Sequence, residues 1–217
     1  MNIINSEDRR TFPGDGLITA PRKTITHCIT INAPSEMIWP WLIQMGAGRA
    51  GWYSYDRIDN GGRPSARQII SELQHLEAGE IMPAIPNTKD AFIVREVHPG
   101  RAIILVAPIQ SANEDSVARR RMAGPLRVSC ALVLETISHG KTKLISRGRV
   151  SSDWLTPSGS GSALTKRPIF IERVYGLFAR IPWFLMAPIA LTGHYFMESR
   201  MLHGIKWRVE THKQGKD

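Results

Sequence analysis

The apolar positions of the chain change period along its length, and each change predicts a different element. Residues 24–31, TITHCITI, place isoleucine at alternate positions and are rich in β-branched side chains, which is typical of a strand. His27 lies on the side of the strand that the isoleucines share. The next apolar residues recur at helical spacing between Ser35, a suitable N-cap, and Met45. This pattern predicts a helix, with a kink at Pro40.

The middle of the chain changes from a helical to an alternating pattern. Residues 65–81 carry a stripe of isoleucine and leucine side chains at helical spacing, which predicts a second helix. Residues 91–99 and 101–109 are separated only by a Pro-Gly turn and predict a hairpin. Residues 126–137 and 141–151, joined through Ser-His-Gly, predict another hairpin.

The C-terminal part of the chain is helical in pattern from about residue 169 to residue 212, with interruptions expected at Pro182 and Pro188. The order of elements predicts an α+β fold, in which the last helix covers one face of an antiparallel sheet. Residues 1–23, rich in proline, glycine and charge, are interpreted as an N-terminal arm, and residues 24–212 as a single domain.

The charge of the chain is positive but scattered. There are 28 Lys and Arg against 19 Asp and Glu, a net charge of +9. The one dense run, residues 119–121, falls in the polar loop predicted over 110–125, and residues 156–168 form another flexible connector. No zinc finger, basic helix or RNP motif accompanies the charge, so nucleic acid is not the expected partner.

Compartment and membrane contact follow from two further features. The cysteines Cys28 and Cys130 do not form a disulfide framework, and the N-terminus has no secretory signal, so a cytoplasmic location is expected. The longest uncharged run, residues 181–197, contains two prolines and falls just short of a membrane-spanning helix. A buried helix and a segment that makes peripheral membrane contact fit this run better, although a true span stays open.

Three stretches of the chain are similar to one known family. They are ITINAPSEMIWPWLIQMGAGRAGWYSYDRIDN (29–60), ISELQHLEAGEIMP (70–83) and FMESRMLHGIKWRVE (196–210). The chain resembles the START-like superfamily, also called SRPBCC, and in particular uncharacterised bacterial members near the polyketide cyclase/dehydrase group. The resemblance implies a helix-grip fold: a curved antiparallel sheet wrapped around a long C-terminal helix, with an internal apolar cavity. A fold of this kind does not fix a function.

Candidate ligand-binding residues cluster around the aromatic run GRAGWYSYD, which the resemblance places near the cavity mouth. Tyr53 and Tyr55 offer aromatic area with hydroxyl groups, while Trp52 is assigned to packing. Arg49 is expected either to pair with Asp56 or to orient a polar ligand head. Each of these residues also fits a purely structural role. The full set of predicted ligand-binding residues is Trp41, Met45, Arg49, Tyr53, Tyr55, Arg95, His194, Met197 and Met201.

Two residues are weak candidates for catalysis. His194 has Glu198 four positions later on the predicted helix, a pair that is able to transfer a proton. Glu72 would act as a general base if it were partly buried, because burial raises the pKa of a carboxyl group. Ordinary roles are favoured for both: His194 as a hydrogen-bonded helix residue and Glu72 as a solvent-facing one. No metal or cofactor is expected, since the histidines show neither HxH nor HExxH and no nucleotide-binding loop is present.

Three functions remain open from the sequence. The first is the binding of a small hydrophobic molecule, lipid-like or polyketide-like. The second is a cyclase/aromatase-type enzyme, which would need two titratable groups to converge in the cavity, for example His194 and Tyr53. The third is a membrane-associated partner protein, suggested by residues 181–197 and the positive charge. The sequence leaves the ligand, turnover and oligomeric state open.

Overall fold

Six antiparallel strands form one curved sheet, with a long helix at the end of the chain. The computed structural model describes residues 10–86, 91–108, 126–152 and 183–214. The spatial order of the strands is β1-β6-β5-β4-β3-β2. The elements are β1 Lys23–Ile31, α1 Ser35–Ile43, α2 Asp56–Asp59, β2 Ile81–Pro83, β3 Ala91–His98, β4 Ala102–Pro108, β5 Leu126–Ser138, β6 Lys141–Val150 and α3 Trp183–Gln214.

The predicted α+β architecture is confirmed, as are both hairpins. Strand β3 pairs with β4, and β5 pairs with β6, each in antiparallel register. Gly100 and Gly140, in the two hairpin turns, have φ values of 70° and 72°. Few residues other than glycine adopt this left-handed conformation without strain, so these turns follow directly from the sequence.

The inner face of the sheet carries the main core. Ile31 and Leu144, both fully buried, belong to one apolar cluster with residues of α3. The helix contributes Leu202, Ile205 and Val209, which lie on one side of α3 because they are spaced by three and four positions. Helix α3 packs most closely on β1, and α1 packs against α3. The internal cavity implied by the family resemblance stays a prediction.

The outer face of the sheet is covered by the N-terminal segment, residues 10–22. Phe12 is buried there in a second, smaller apolar cluster with residues of β4, β5 and β6. Asp15 is also buried, and its carboxylate lies 3.2 Å from Nη2 of Arg147 and 3.4 Å from Nη1 of Arg149. The described part of the predicted arm is therefore packed against the sheet, and the two arginines face this segment.

The prediction of a helix over residues 65–81 is wrong. The segment contains a single 3₁₀ turn, Ser71–Leu73, and is otherwise irregular until β2. Its backbone groups bond to side chains from elsewhere: Gln44 Oε1 accepts from the Ile70 N–H at 3.0 Å, and Arg49 donates to the carbonyl oxygens of Leu73 and His75. These tertiary hydrogen bonds replace those of a helix, so the apolar stripe packs against the core without helical structure.

Two details of the other predicted helices also differ. Pro34, in extended conformation, is the N-cap of α1, and Ser35 is its first helical residue. Helix α3 continues through Pro188, because a proline removes one hydrogen bond near the start of a long helix without ending it. The predicted loops over 110–125 and 156–168, and the start of the C-terminal helix before Trp183, lie outside the described residues.

Candidate functional site

A buried carboxylate lies between the inner face of the sheet and α3. Glu198 is 5% exposed, and its two oxygens have different partners. Oε1 accepts a short hydrogen bond from the hydroxyl of Ser146, and Oε2 accepts from Nδ1 of His27 at 2.5 Å. His27 and Ser146 are direct register partners in the β1–β6 pair. The sheet thus presents two polar side chains together to one residue of the helix.

A second imidazole approaches the same carboxylate from the helix. His194 lies one turn before Glu198 on α3, with Nε2 3.5 Å from Oε2. Its side chain is 52% exposed, whereas that of His27 is 19% exposed. A carboxylate only accepts hydrogen bonds, so the His27 nitrogen that faces it carries a proton. The polar cluster of His27, Ser146, His194 and Glu198 can therefore hold and exchange protons between a carboxylate and two imidazoles.

Cys130 borders the polar cluster. Its sulfur lies 3.9 Å from the hydroxyl oxygen of Ser146. Burial, and after it the negative charge of Glu198, raises the pKa of the Cys130 thiol to about 12. The thiol is therefore protonated at neutral pH and is not a nucleophile.

The order of groups in the cluster also limits its chemistry. In a nucleophilic triad the imidazole lies between the hydroxyl and the carboxylate, and it takes the hydroxyl proton. Here Glu198 lies between Ser146 and His27, so the serine hydroxyl donates to the carboxylate. This arrangement favours polar recognition or acid–base chemistry by Glu198 over nucleophilic attack by Ser146.

Two exposed aromatic rings lie beside the polar cluster. The Tyr195 ring packs edge-on against the His27 ring, with centroids 4.9 Å apart, and the Phe196 ring lies 5.8 Å from that of Tyr195. Both aromatic side chains are more than half exposed. Aromatic side chains and a few polar groups are the two kinds of group that small-molecule sites combine.

Three of the predicted ligand-binding residues lie in the core around α1. Trp41, Met45 and Tyr53 are each at most 2% exposed. The Tyr53 hydroxyl donates to the carbonyl oxygen of Trp41 at 3.1 Å and accepts from Nε2 of Gln44 at 2.8 Å. Burial raises the pKa of Tyr53 far above its ordinary value. Both hydrogen-bonding roles of this hydroxyl are thus already satisfied within the protein.

Arg49 connects the aromatic run to the irregular segment after it. Its guanidinium donates to the carbonyl oxygen of Ile43 at 3.0 Å and to Glu80 at 3.3 Å. The expected pair with Asp56 is not formed, because Asp56 accepts from the backbone N–H and hydroxyl of Ser65. Arg49 therefore fastens residues 73–80 to the end of α1.

The remaining predicted residues are spread over the molecule. Tyr55 is 42% exposed, and Arg95 is half-buried at an irregularity in β3. Met197 and Met201 are half-buried on α3, close along the helix to Glu198. Glu72 is exposed in its 3₁₀ turn, so the burial that its role as a base required is absent.

The pair proposed as the mark of an enzyme, His194 and Tyr53, does not converge. Tyr53 lies against Gly204 on α3, ten residues after His194, which is about 15 Å along a helix. The groups that do converge on His194 are Glu198 and, through it, His27. His27 could have been found as a polar residue on the apolar side of a strand, and Glu198 as the helical neighbour of His194. Ser146 carried no such signal.

The described ranges contain no candidate metal-binding cluster and no candidate membrane-spanning helix. Within them, no group of three or more His, Cys, Asp and Glu side chains is arranged to hold a metal ion. Nor does any helix of those ranges have both the length and the apolar character needed to cross a membrane.

Comparisons with known proteins give similarity in structure only. No family model matches the chain, and no curated protein matches it. Similar solved structures include protein MLL2253 from Mesorhizobium loti, with 14% identity, coverage of 87% of this chain and 98% of that one, and a TM-score of 0.41. PFC0360w, an HSP90 activator from Plasmodium falciparum, has 11% identity, coverage of 78% and 96%, and a TM-score of 0.36.

A third similar structure is the di-domain ARO/CYC protein BexL from the BE-7585A biosynthetic pathway. It has 15% identity, coverage of 87% of this chain and 46% of that one, and a TM-score of 0.33. The identity to each of these three structures is 15% or less, and each TM-score is below 0.5. Similarities at this level assign neither a family nor an activity to the chain.

Proposed function

We propose that the chain binds a small hydrophobic molecule at the inner face of the sheet, with the polar end of that molecule at Glu198. The observation that carries this proposal is the burial of the Glu198 carboxylate between Ser146 and His27 on an otherwise apolar face. A buried charge of this kind is seldom worth more to stability than a well-packed apolar residue. Perturbed or buried titratable groups next to apolar surface are concentrated at functional sites.

The charge of the polar cluster selects the chemistry of the ligand. Glu198 accepts hydrogen bonds and repels other carboxylates, so a neutral hydroxyl or phenol suits the site better than an acid. The apolar part of the ligand would contact Tyr195 and Phe196 at the rim. Hydroxylated lipid-like or polyketide-like molecules combine these two features.

The first test is native mass spectrometry of the purified chain, followed by denaturing extraction of any molecule that co-purifies. The second is a calorimetric titration with 2-naphthol, a neutral hydroxylated aromatic probe. Glu198→Gln removes the negative charge and should weaken 2-naphthol binding about tenfold, because a hydrogen bond to a charged group contributes about 1.5–3 kcal/mol. Glu36→Gln, at an exposed position on α1, is the matched control and should bind as the wild type does.

Two experimental results would contradict ligand binding at Glu198. A chain that co-purifies with no ligand and binds no 2-naphthol would contradict it, as would equal binding by wild type and Glu198→Gln.

A second function, acid–base catalysis, is favoured by the two imidazoles that approach Glu198. In that case Glu198 would remove a proton next to a substrate carbonyl, and His27 or His194 would return one. The test is the exchange of the methylene protons of benzoylacetone in deuterated water, followed by proton NMR. Glu198→Gln should then lower kcat about 100-fold or more, beyond any change in KM. Exchange at the uncatalysed rate in the wild type would exclude this function for such substrates. Contact of residues 181–197 with a membrane surface stays a prediction.

A further inference from the structure

A groove with a volume of about 680 Å³ lies between α3 and the loop after α1, away from the polar cluster of Glu198. Among its lining side chains, cationic groups outnumber carboxylates. The cationic lining residues are Arg67, Arg200, Lys206 and Arg208, and the acidic lining residues are Asp56 and Glu210. Tyr53 and Trp207 contribute aromatic side chains to the wall.

Arg208 is fixed in the wall of the groove by neutral partners. Its guanidinium donates to the carbonyl oxygens of Ala66 at 2.7 Å, Gly204 at 3.0 Å and Ser65 at 3.4 Å. It also lies 4.3 Å from the centroid of the Tyr53 ring. Burial lowers the pKa of Arg208; Tyr53 and Asp56 act in the opposite direction, and the charges of Arg67 and Arg200 lower the pKa further. These carbonyl oxygens hold the guanidinium in place, but because they are uncharged they do not neutralise its positive charge.

The two carboxylates of the groove are already engaged by protein groups. Asp56 accepts from Ser65, and Glu210 accepts from the backbone N–H of Asn32 at 2.9 Å and lies 3.7 Å from Lys206. Across the described ranges, no carboxylate lies within ion-pair distance of Arg67, Arg200 or Arg208. The groove therefore keeps an excess of positive charge that an anion from outside would neutralise.

An exposed indole stands beside these guanidinium groups. Trp207 is 51% exposed, and the guanidinium carbons of Arg67 and Arg208 lie 6.0 Å and 5.7 Å from the centroid of its ring. Arginine forks match phosphate oxygens, and a tryptophan face packs against planar or apolar groups. The combination suits an anion that is attached to an apolar or aromatic body.

We propose that this groove binds a phosphate monoester. A phosphate monoester carries a charge of about −1.5 to −2 at neutral pH, which matches the excess of two positive charges in the lining. Arg67 and Arg200 would bind the phosphate oxygens, with Arg208 at the base of the groove and Trp207 against the esterified group. The phosphate could belong to a soluble metabolite or to a phosphatidic acid headgroup in a membrane, and these two sources share the same chemistry.

The test uses one soluble and one membrane probe. Phenyl phosphate is titrated into the full chain by calorimetry, and sedimentation is measured with phosphatidylcholine vesicles with and without phosphatidic acid. The Arg67→Ala/Arg200→Ala double variant removes two exposed cations from the groove. The Arg101→Ala/Lys141→Ala double variant removes two exposed cations from the hairpin turns and is the matched control. Binding should weaken about tenfold or more in the groove variant and less than twofold in the control.

Each outcome decides the proposal. Loss of phenyl phosphate binding in the groove variant alone supports a soluble phosphate, and loss of phosphatidic acid-dependent sedimentation alone supports a lipid headgroup. Equal weakening in both double variants means that only net charge matters, and it overturns the proposal, as does the absence of binding to both probes. The groove variant should keep the 2-naphthol affinity of the wild type, so this test is independent of the ligand site at Glu198.

Discussion

The backbone of Gly204 on α3 lies directly against the backbone of Tyr53. A Cβ atom at position 204 would be 2.2 Å from the Tyr53 carbonyl oxygen and 3.1 Å from its Cβ. The aromatic run and the C-terminal helix can therefore touch only because residue 204 has no side chain. Tyr53 itself has a φ of 59°, a left-handed backbone conformation that few residues other than glycine adopt. The Trp-Tyr-Ser-Tyr stretch is a tightly packed corner, and its contact with α3 is its main structural role.

Gly204→Ala should destabilise the chain by about 1–3 kcal/mol, because the steric overlap exceeds the gain in helix propensity. Gly193→Ala is the control on the same helix, since a Cβ there meets nothing within 4 Å. That variant should gain about 0.5–1 kcal/mol. Urea unfolding of the two variants measures the difference, and a stabilised Gly204→Ala would show that the corner moves freely.

Tyr53→Phe should reduce stability by about 1–2 kcal/mol. The substitution removes the hydroxyl that donates to the Trp41 carbonyl oxygen and accepts from Gln44, and it leaves Gln44 Nε2 with only its longer bond to the Gln68 carbonyl oxygen, at 3.3 Å. Tyr55→Phe, at an exposed position, should change stability by less than about 0.5 kcal/mol. The two variants are compared by chemical unfolding. Equal stability would mean that water replaces the lost hydroxyl.

Asp59 should make stability depend on pH. Both oxygens of its buried carboxyl group have no hydrogen-bond partner among the described residues. Burial, and next the charge of Asp56, raises the pKa of Asp59 from 3.8 to about 6. A raised carboxyl pKa means that the folded state favours the protonated form. Its favourable contribution is complete below pH 3.8 and is lost as pH rises through about 6.

Asp59→Asn should therefore be more stable than the wild type at pH 7.5, by about 2–3 kcal/mol. The advantage should shrink towards zero near pH 3, below the unfolded-state pKa of 3.8, where the wild-type carboxyl group is protonated in both states. Urea unfolding of both proteins at the two pH values gives the result. An advantage of the same size at both values would show that the effect is steric and unrelated to titration.

Asp15→Ala should destabilise the chain by about 3 kcal/mol, because it removes a carboxylate from the buried side chain of Arg147. Glu135→Ala is the control: its partner Arg10 is 47% exposed, and a surface pair contributes about 0–1 kcal/mol. Thermal and urea unfolding measure both. Similar small losses would indicate that the N-terminal segment is held by Phe12 and not by its ion pairs.

The sequence predicts the sheet better than the segment between α1 and β2. Alternation in β1 and glycine turns in the hairpins are local signals, and the structure follows them. The stripe over residues 65–81 is an equally regular local pattern, but the side chains of Gln44 and Arg49 determine its backbone conformation. Contacts between residues distant in sequence leave no periodic pattern, so the spacing of apolar residues over 65–81 by itself predicts a helix.

The candidate site shows the same limit. His27 is visible in the sequence as a polar residue in an apolar strand, and Glu198 as a neighbour of His194. Their meeting depends on how α3 lies across β1, which no spacing within either element reveals. Trp41, Met45 and Tyr53 were chosen for their chemistry, and the structure places them in the core because large aromatic and thioether side chains also fill space well.

The pairing of His27 with Glu198 joins residues 171 positions apart. During synthesis, His27 and Ser146 leave the ribosome before Glu198, which lies 52 positions after Ser146, so β1 and β6 can pair before the carboxylate is available. A nascent chain would present an apolar sheet face with no carboxylate opposite it. The proposed ligand site therefore requires the C-terminal helix, and a product that ends before α3 should be unable to bind the ligand.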